Sequence, residues 1–474
     1  MVFSSIVFLF LFLPIVATAY FLVPRSARNV LLLAASLFFY AWGETTFVFV
    51  MLLSIALNYG FGLWIGWTQG TARARLPLVL AVLVNLELLA LYKYSTFFID
   101  NLNVAIGWFG GAPILLEGRH LPAGISFFTF QAMSYIIDVY RNEARPQKNP
   151  LNLALYIALF PQLIAGPIVR YQQIAEEILS RESRLNDVAE GIKRFIIGLA
   201  KKVLIANTAA AGADLVFDLP AHELTTPLAW FGIACYTIQI YFDFSGYSDM
   251  AIGLGRIFGF HFLENFQWPY AARSIQDFWR RWHISLSSWF RDYVYIPLGG
   301  NRGSRGRTAF NLVAVFFLCG LWHGAAWNFA IWGLFHGAFL VLERGRFGTW
   351  LGARPRSLQH GYTLLVVMAG WVLFRVESLA EAGVFFSALA GFAEGSSAVR
   401  PLAMYCTPDR VLALAVGGVA AMPVLPSLRE WLARRDRGRG LVEWGSFAGH
   451  VALLYACAVT LSAQTYNPFI YFRF

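Results

Sequence analysis

The feature that most constrains this chain is a succession of apolar runs, clearest over residues 3–23, 47–67 and 76–98. Each approaches the ~20 residues that a helix rising ~1.5 Å per residue needs to cross ~30 Å of hydrocarbon. Of the 474 residues 58% are hydrophobic and only 14% charged, against roughly a quarter charged in an ordinary soluble domain. A chain of this composition cannot hide its apolar surface from water by folding alone, so lipid is its solvent. Backbone polar groups in lipid must be satisfied within the chain. The expected fold class is an all-α integral membrane protein.

The net charge of +10 would in a soluble protein suggest nucleic acid. Here Lys and Arg sit between the apolar runs, the pattern of cytoplasmic loops under the positive-inside rule and of contact with anionic headgroups. No nucleic-acid partner is expected. Arg25 and Arg28 follow the first run, with no Lys or Arg before it, so a retained first span with its N-terminus outside is expected rather than a cleaved signal peptide. The four cysteines, Cys235, Cys319, Cys406 and Cys457, have no metal-ligand spacing. Three lie in apolar runs and read as buried small hydrophobes.

Further spans are expected near 30–42, 127–139, 228–244, 361–374, 411–425 and 448–461, with Arg73, Arg75, Arg141, Arg145, Lys148 and the segment 429–439 cytoplasmic and the C-terminus outside. The stretch 100–119, poor in charge, reads as an outside loop. In all, about ten to thirteen membrane-embedded helices fit one multi-span domain over residues 1–474. Residues 151–169 are apolar but interrupted by Pro161, Gly166 and Pro167, which predicts a broken or re-entrant helix lining a cavity. Two segments, near 171–206 and 271–307, mix charge with apolar residues and read as amphipathic helices at the cytoplasmic surface.

Ionisable residues at membrane depth are costly, so an apolar run that keeps one is a candidate functional site. Residues 265–343 are the richest such region. At helical spacing Phe278, Trp282, Ser285 and Trp289 share one face, and interfacial anchoring accounts for Arg280 and Arg291. It accounts poorly for His283. Farther on, basic residues bracket two apolar runs around Trp322-His323-Gly324, which predicts a helical hairpin with His323 near its bend. Gly320 with Gly324, and Gly333 with Gly337, suggest close helix packing, and His336 between the latter pair is expected to donate to a backbone carbonyl. A buried neutral imidazole can take a proton from a hydroxyl and make it nucleophilic toward a thioester. Burial and the nearby Arg281 would both favour that neutral form. Asp243 and Asp249 form a second polar island, expected to pair with arginines of the helix that follows, although a cation or proton site is open to them.

The segments Trp279-Arg280-Arg281-Trp282-His283-Ile284-Ser285 and Leu321-Trp322-His323-Gly324, with the opening Met1-Val2-Phe3-Ser4-Ser5, Phe160-Pro161-Gln162-Leu163-Ile164-Ala165-Gly166-Pro167 and the closing Asn467-Pro468-Phe469-Ile470-Tyr471-Phe472-Arg473-Phe474, resemble the membrane-bound O-acyltransferases, and in particular their bacterial branch that O-acetylates exported polysaccharide. The resemblance spans nearly the whole chain. It implies a polytopic helical core with a funnel or tunnel, His323 as the catalytic histidine and His283 as a second active-site position. It implies acetyl-CoA as donor substrate reaching the site from the cytoplasm, with no bound cofactor and no metal. It also implies a bacterial inner-membrane location, periplasmic acetyltransferase partner proteins, and an exported polysaccharide acceptor, alginate foremost and cellulose or peptidoglycan as alternatives. A transporter or channel would also use broken helices and buried carboxylates, but no internal symmetry of two halves is visible in the sequence.

Overall fold

The computed structural model describes residues 1–393, 395, 400–424, 439–463 and 466–468. Among them there is helix and no strand. Among the described residues five helices are long and apolar enough to cross a membrane: Val48–Thr68, Ala72–Trp108, Leu185–Phe217, Arg356–Arg375 and Glu443–Ala463. Of the other expected spans, that near 228–244 lies in the 32-residue helix Thr226–Ile257, while the rest are shorter, for instance Arg28–Ala41 and Pro408–Ala420. Two expectations change here. Helix continues through residue 108, so the outside loop begins only after it. The segment read as surface amphipathic from 171 to 206 divides into a nine-residue helix, Tyr171–Leu179, and part of the 33-residue helix Leu185–Phe217, two-thirds buried in its most apolar window. The expected cytoplasmic stretch 429–439 and the closing residues 469–474 lie outside the described residues, apart from the backbone of Arg439 at a helix start.

The chain forms two units, residues 1–192 with 251–263 and 324–326, and residues 193–250 with 264–323 and 327–474. In the first, the helix Ile125–Tyr140 is buried along nearly its whole length. Lipid gives two helices no hydrophobic reason to associate, so polar side chains and small residues hold them. Asn58 and Asn85 exchange amide hydrogen bonds of 3.1 and 2.9 Å between Val48–Thr68 and Ala72–Trp108. A β-carbon on Gly62 would stand 2.5 Å from the Tyr135 hydroxyl oxygen. The expected broken helix is present as Pro150–Ala158 followed by Phe160–Leu163. The amide freed at the break, that of Phe160, donates to Ser36 Oγ at 3.0 Å, which removes the cost of an unsatisfied backbone group in an apolar setting.

In the second unit Gly198 and Gly246 face each other, a β-carbon on either lying within 2.7 Å of the other's carbonyl oxygen. That approach brings cations onto the carboxylates of the long helix Thr226–Ile257. Lys202 Nζ stands 2.7 Å from Asp243 Oδ1, with both side chains buried. Asp249 binds Arg194 at 2.6 Å and Lys201 at 2.7 Å, and Arg194 also grips Glu264 through two nitrogens. The expected partners were arginines of the helix that follows. The cations come instead from the preceding helix, because the glycine contact sets that helix alongside. Residues 466–468 fold back onto the same surface: Tyr466 donates to Asp214 at 2.5 Å, Asn207 to Asn467 at 3.1 Å, and Lys202 Nζ to the Pro468 carbonyl.

Candidate active site

The hairpin forms as expected, from Arg305–His323 and Trp327–Glu343. Its two helices touch backbone to backbone: a β-carbon on Gly320 would lie 2.2 Å from the Phe329 carbonyl oxygen, and one on Gly333 would lie 2.2 Å from that of Phe316. His323 is the last residue of the first helix and is 4% exposed. Its ring meets Trp322, Trp332 and Phe374 edge-on, with centroids 5.0 to 5.2 Å apart. It faces packed aromatic side chains of the protein.

His283 departs from the expected geometry. The helical spacing of Phe278, Trp282, Ser285 and Trp289 suggested one continuous helix, yet the chain breaks into Ile275–Arg281 and Ile284–Phe290. His283 between them is left-handed, with φ 45° and ψ 56°. Trp268 is left-handed as well, at φ 45°. A non-glycine residue held there costs roughly 1–3 kcal/mol and persists only where its surroundings enforce it. Here two hydrogen bonds do so, Gln267 N to Arg281 O and Ile284 N to Asn265 O, both 3.0 Å. They clamp the loop after Asn265 against the break. The tryptophans of this segment are core residues: Trp279, Trp282 and Trp289 are buried, whereas Arg280 and Arg291 keep the exposed position that anchoring requires. The 271–307 segment is therefore not simply a surface amphipathic helix.

The clamp brings in three residues to which the sequence alone gave no role, Asn265, Ser285 and Ser248. Asn265 Oδ1 accepts from the Ser285 amide at 3.2 Å and from Ser285 Oγ at 2.9 Å, and lies 3.2 Å from His283 Nδ1. A backbone N–H can only donate, so this atom is an acceptor and Nδ1 must carry the ring proton. Asn265 Nδ2 in turn donates to Ser248 Oγ at 3.1 Å. The remaining nitrogen, His283 Nε2, then bears a lone pair, and it has no hydrogen-bond partner among the described residues. The residue is 1% exposed, and Phe244 stands edge-on to the ring at 4.6 Å.

His283 lies outside the spanning helices, and burial lowers its imidazole to about 3. Arg281 is not part of the cause, contrary to expectation. Its guanidinium turns to Asp277 at 2.8 Å. His283 and His323 are joined through one side chain: Trp322 lies 6.2 Å from the His283 ring and 5.0 Å from the His323 ring.

His336 does not donate to a carbonyl. Among the described residues neither ring nitrogen has a partner, and the ring packs edge-on against Trp279 and Trp332 at 5.1 Å. The Asp243 and Asp249 pairs are satisfied by cations, the arrangement of a structural element. Among the described residues no group of three His, Cys, Asp or Glu side chains is placed to hold a metal ion.

A cavity of about 420 Å³ is lined by residues of the segments that flank the two histidines, though neither histidine is among its described lining residues. Arg280, Arg291 and Arg344 line it together with Trp279, Phe290, Phe316 and Leu340. The lining also includes Ile284, next to His283 in sequence, and Cys319, one helical turn before His323. Apolar walls with a few guanidinium groups suit a molecule with an apolar body and anionic substituents.

Residues 34–380 match the model of the MBOAT, membrane-bound O-acyltransferase family. The chain belongs to the membrane-bound O-acyltransferase family, and it is accordingly an all-α membrane enzyme that transfers acyl groups. Among its relatives, the "Probable alginate O-acetylase AlgI" of Azotobacter vinelandii is 42% identical over 504 aligned positions, covering all of both chains. The protein of the same name from Pseudomonas aeruginosa is 48% identical over 83% of this chain and 75% of its own length. The "Peptidoglycan O-acetyltransferase" of Helicobacter pylori is 39% identical over 81% of this chain and 78% of its own.

Proposed function

We propose that this enzyme moves an acetyl group from acetyl-CoA, bound from the cytoplasmic side of a bacterial inner membrane, toward an exported polysaccharide, alginate in the first instance. The observation that carries the chemistry is the buried His283 Nε2, its lone pair exposed by the Asn265 hydrogen bond and one tryptophan away from His323. In the proposed step His323 takes the proton of the accepting hydroxyl as its oxygen attacks the thioester carbonyl. The new C–O bond forms, the C–S bond breaks, and the proton passes to the departing CoA sulfur. His283 orients the reactants or carries that proton onward through Nε2.

The arginine-lined cavity supports CoA as the donor, since Cys319 in its lining stands one helical turn before His323. Acetyl-CoA is cytoplasmic and the polymer is outside, so a handover at membrane depth is required, and periplasmic acetyltransferase proteins would complete it. Alginate rests on the relatives of that name and on full-length coverage. Peptidoglycan is the second reading, resting on the Helicobacter relative. The test is His323→Ala, with the acetyl content of surface glycan measured by mass spectrometry and the membrane abundance of the protein measured alongside. Acetylation should vanish at unchanged abundance. Retained transfer would remove His323 from the catalytic role.

A further inference from the structure

A second recess adjoins the donor cavity and is not used by the chemistry above. Its volume is about 590 Å³, and Asn301, Arg305, Thr308, Arg344, Arg346 and Thr349 supply its polar lining. Among the described residues no carboxylate lines it. The acidic residue nearest in sequence, Glu343, is turned elsewhere, accepting from the amides of Ile275 at 2.7 Å and Gln276 at 3.0 Å. Arg305 and Arg346 make no ion pair among the described residues. Arg344 is held in place, donating to Asn301 Oδ1 at 2.8 Å, an atom that also accepts from Tyr295 at 2.5 Å. Both Arg344 and Tyr295 line the donor cavity as well.

We propose that this recess is a phosphate-binding site. Three guanidinium groups with hydroxyl and amide neighbours, and no opposing carboxylate among the described residues, match the fork geometry that phosphate oxygens accept. Phosphate reaches the cytoplasmic side of such a protein on the nucleotide of CoA or on an anionic lipid headgroup. Continuity through Arg344 favours the nucleotide: the pantetheine arm would lie in the apolar cavity, its thioester toward Cys319 and His323, while the phosphorylated ribose rests on Arg305 and Arg346. This assignment rests on the donor reading given above. It adds that the enzyme selects the free nucleotide thioester over a donor that lacks those phosphates.

The experiment uses the full chain in nanodiscs and measures CoA and dephospho-CoA binding by calorimetry, first in neutral phosphatidylcholine. Arg305→Gln and Arg346→Gln should each weaken CoA about tenfold or more, the range of a lost charge-assisted hydrogen bond, and should weaken dephospho-CoA less. Arg346→Lys should recover part of the loss. In a parallel arm, nanodiscs containing phosphatidylglycerol are tested for retained anionic lipid. A loss confined to that arm assigns the same phosphate site to a headgroup. Unchanged CoA affinity together with unchanged lipid retention overturns the site. His323→Ala separates the two readings, because the catalytic proposal fails if that variant transfers acetyl, whereas the recess is judged by binding alone.

Discussion

Asn265→Leu keeps the volume of the side chain and removes its oxygen, and so tests whether the protonation pattern of His283 matters. Three donors lose their acceptor: Ser285 N–H, Ser285 O–H and His283 Nδ1–H. Ser285 Oγ lies 3.4 Å from His283 Nδ1 and can turn toward it, so the losses are not additive. At ~0.5–1.5 kcal/mol net for each hydrogen bond, the fold should lose about 2–4 kcal/mol. The rate should fall for a separate reason. Once Nδ1–H is unanchored, the ring can carry its proton on Nε2 or turn away, and ~1.5–3 kcal/mol of preference is lost. At ~1.36 kcal/mol per factor of ten, that corresponds to about 10–150-fold in kcat, with KM for acetyl-CoA little changed.

Asn265→Asp supplies the control, since a carboxylate accepts from the same donors. It should recover most of the rate, and its charge should raise the His283 pKa and move the acid limb of the pH–rate profile to higher pH. The assay is acetyl transfer by purified protein in nanodiscs, with thermal unfolding measured in parallel. A folded Asn265→Leu enzyme turning over at the wild-type rate would refute the link between the clamp and the chemistry.

Two further outcomes follow from the packing. Gly333→Ala places a methyl 2.2 Å from the Phe316 carbonyl oxygen; the hairpin must separate, at a cost of at least ~1–3 kcal/mol, read as a lower melting temperature and early loss of the monodisperse peak in detergent. Lys202→Met leaves Asp243 buried without its cation and should cost roughly 3–5 kcal/mol, whereas the double variant Lys202→Met with Asp243→Leu should recover most of that stability; a double variant no more stable than the single one would show that the pair is not what the fold depends on.

Much of the architecture could be read from residue order because lipid leaves a chain few options. An apolar run bracketed by arginines must go in and come back, and this alone located His323 at a bend. His283 was found by its chemical type, but its backbone was misread: Phe278, Trp282, Ser285 and Trp289 keep helical spacing through a break that side-chain periodicity does not register. The break is held by Gln267 and Asn265, which lie 14 residues or more before their backbone partners Arg281 and Ile284, and nothing local marks them. The partners of Asp243 and Asp249 were misassigned for a similar reason. Charge complementarity says that a carboxylate will be matched, while the helix that matches it is chosen by a contact between Gly198 and Gly246. The arginine-lined cavity was expected only as a funnel, since its walls come from helices that meet only in three dimensions.

The contact between Lys202 and the Pro468 carbonyl spans 266 residues of chain. During synthesis at about 5–20 residues per second, roughly 13–53 s pass between the appearance of the lysine and that of its last acceptor. Asp243, made 41 residues after the lysine, pairs with it well before then, and the surface later covered by residues 466–468 is open to whatever else the nascent chain meets. Insertion machinery or lipid headgroups must keep that surface company until the ribosome catches up.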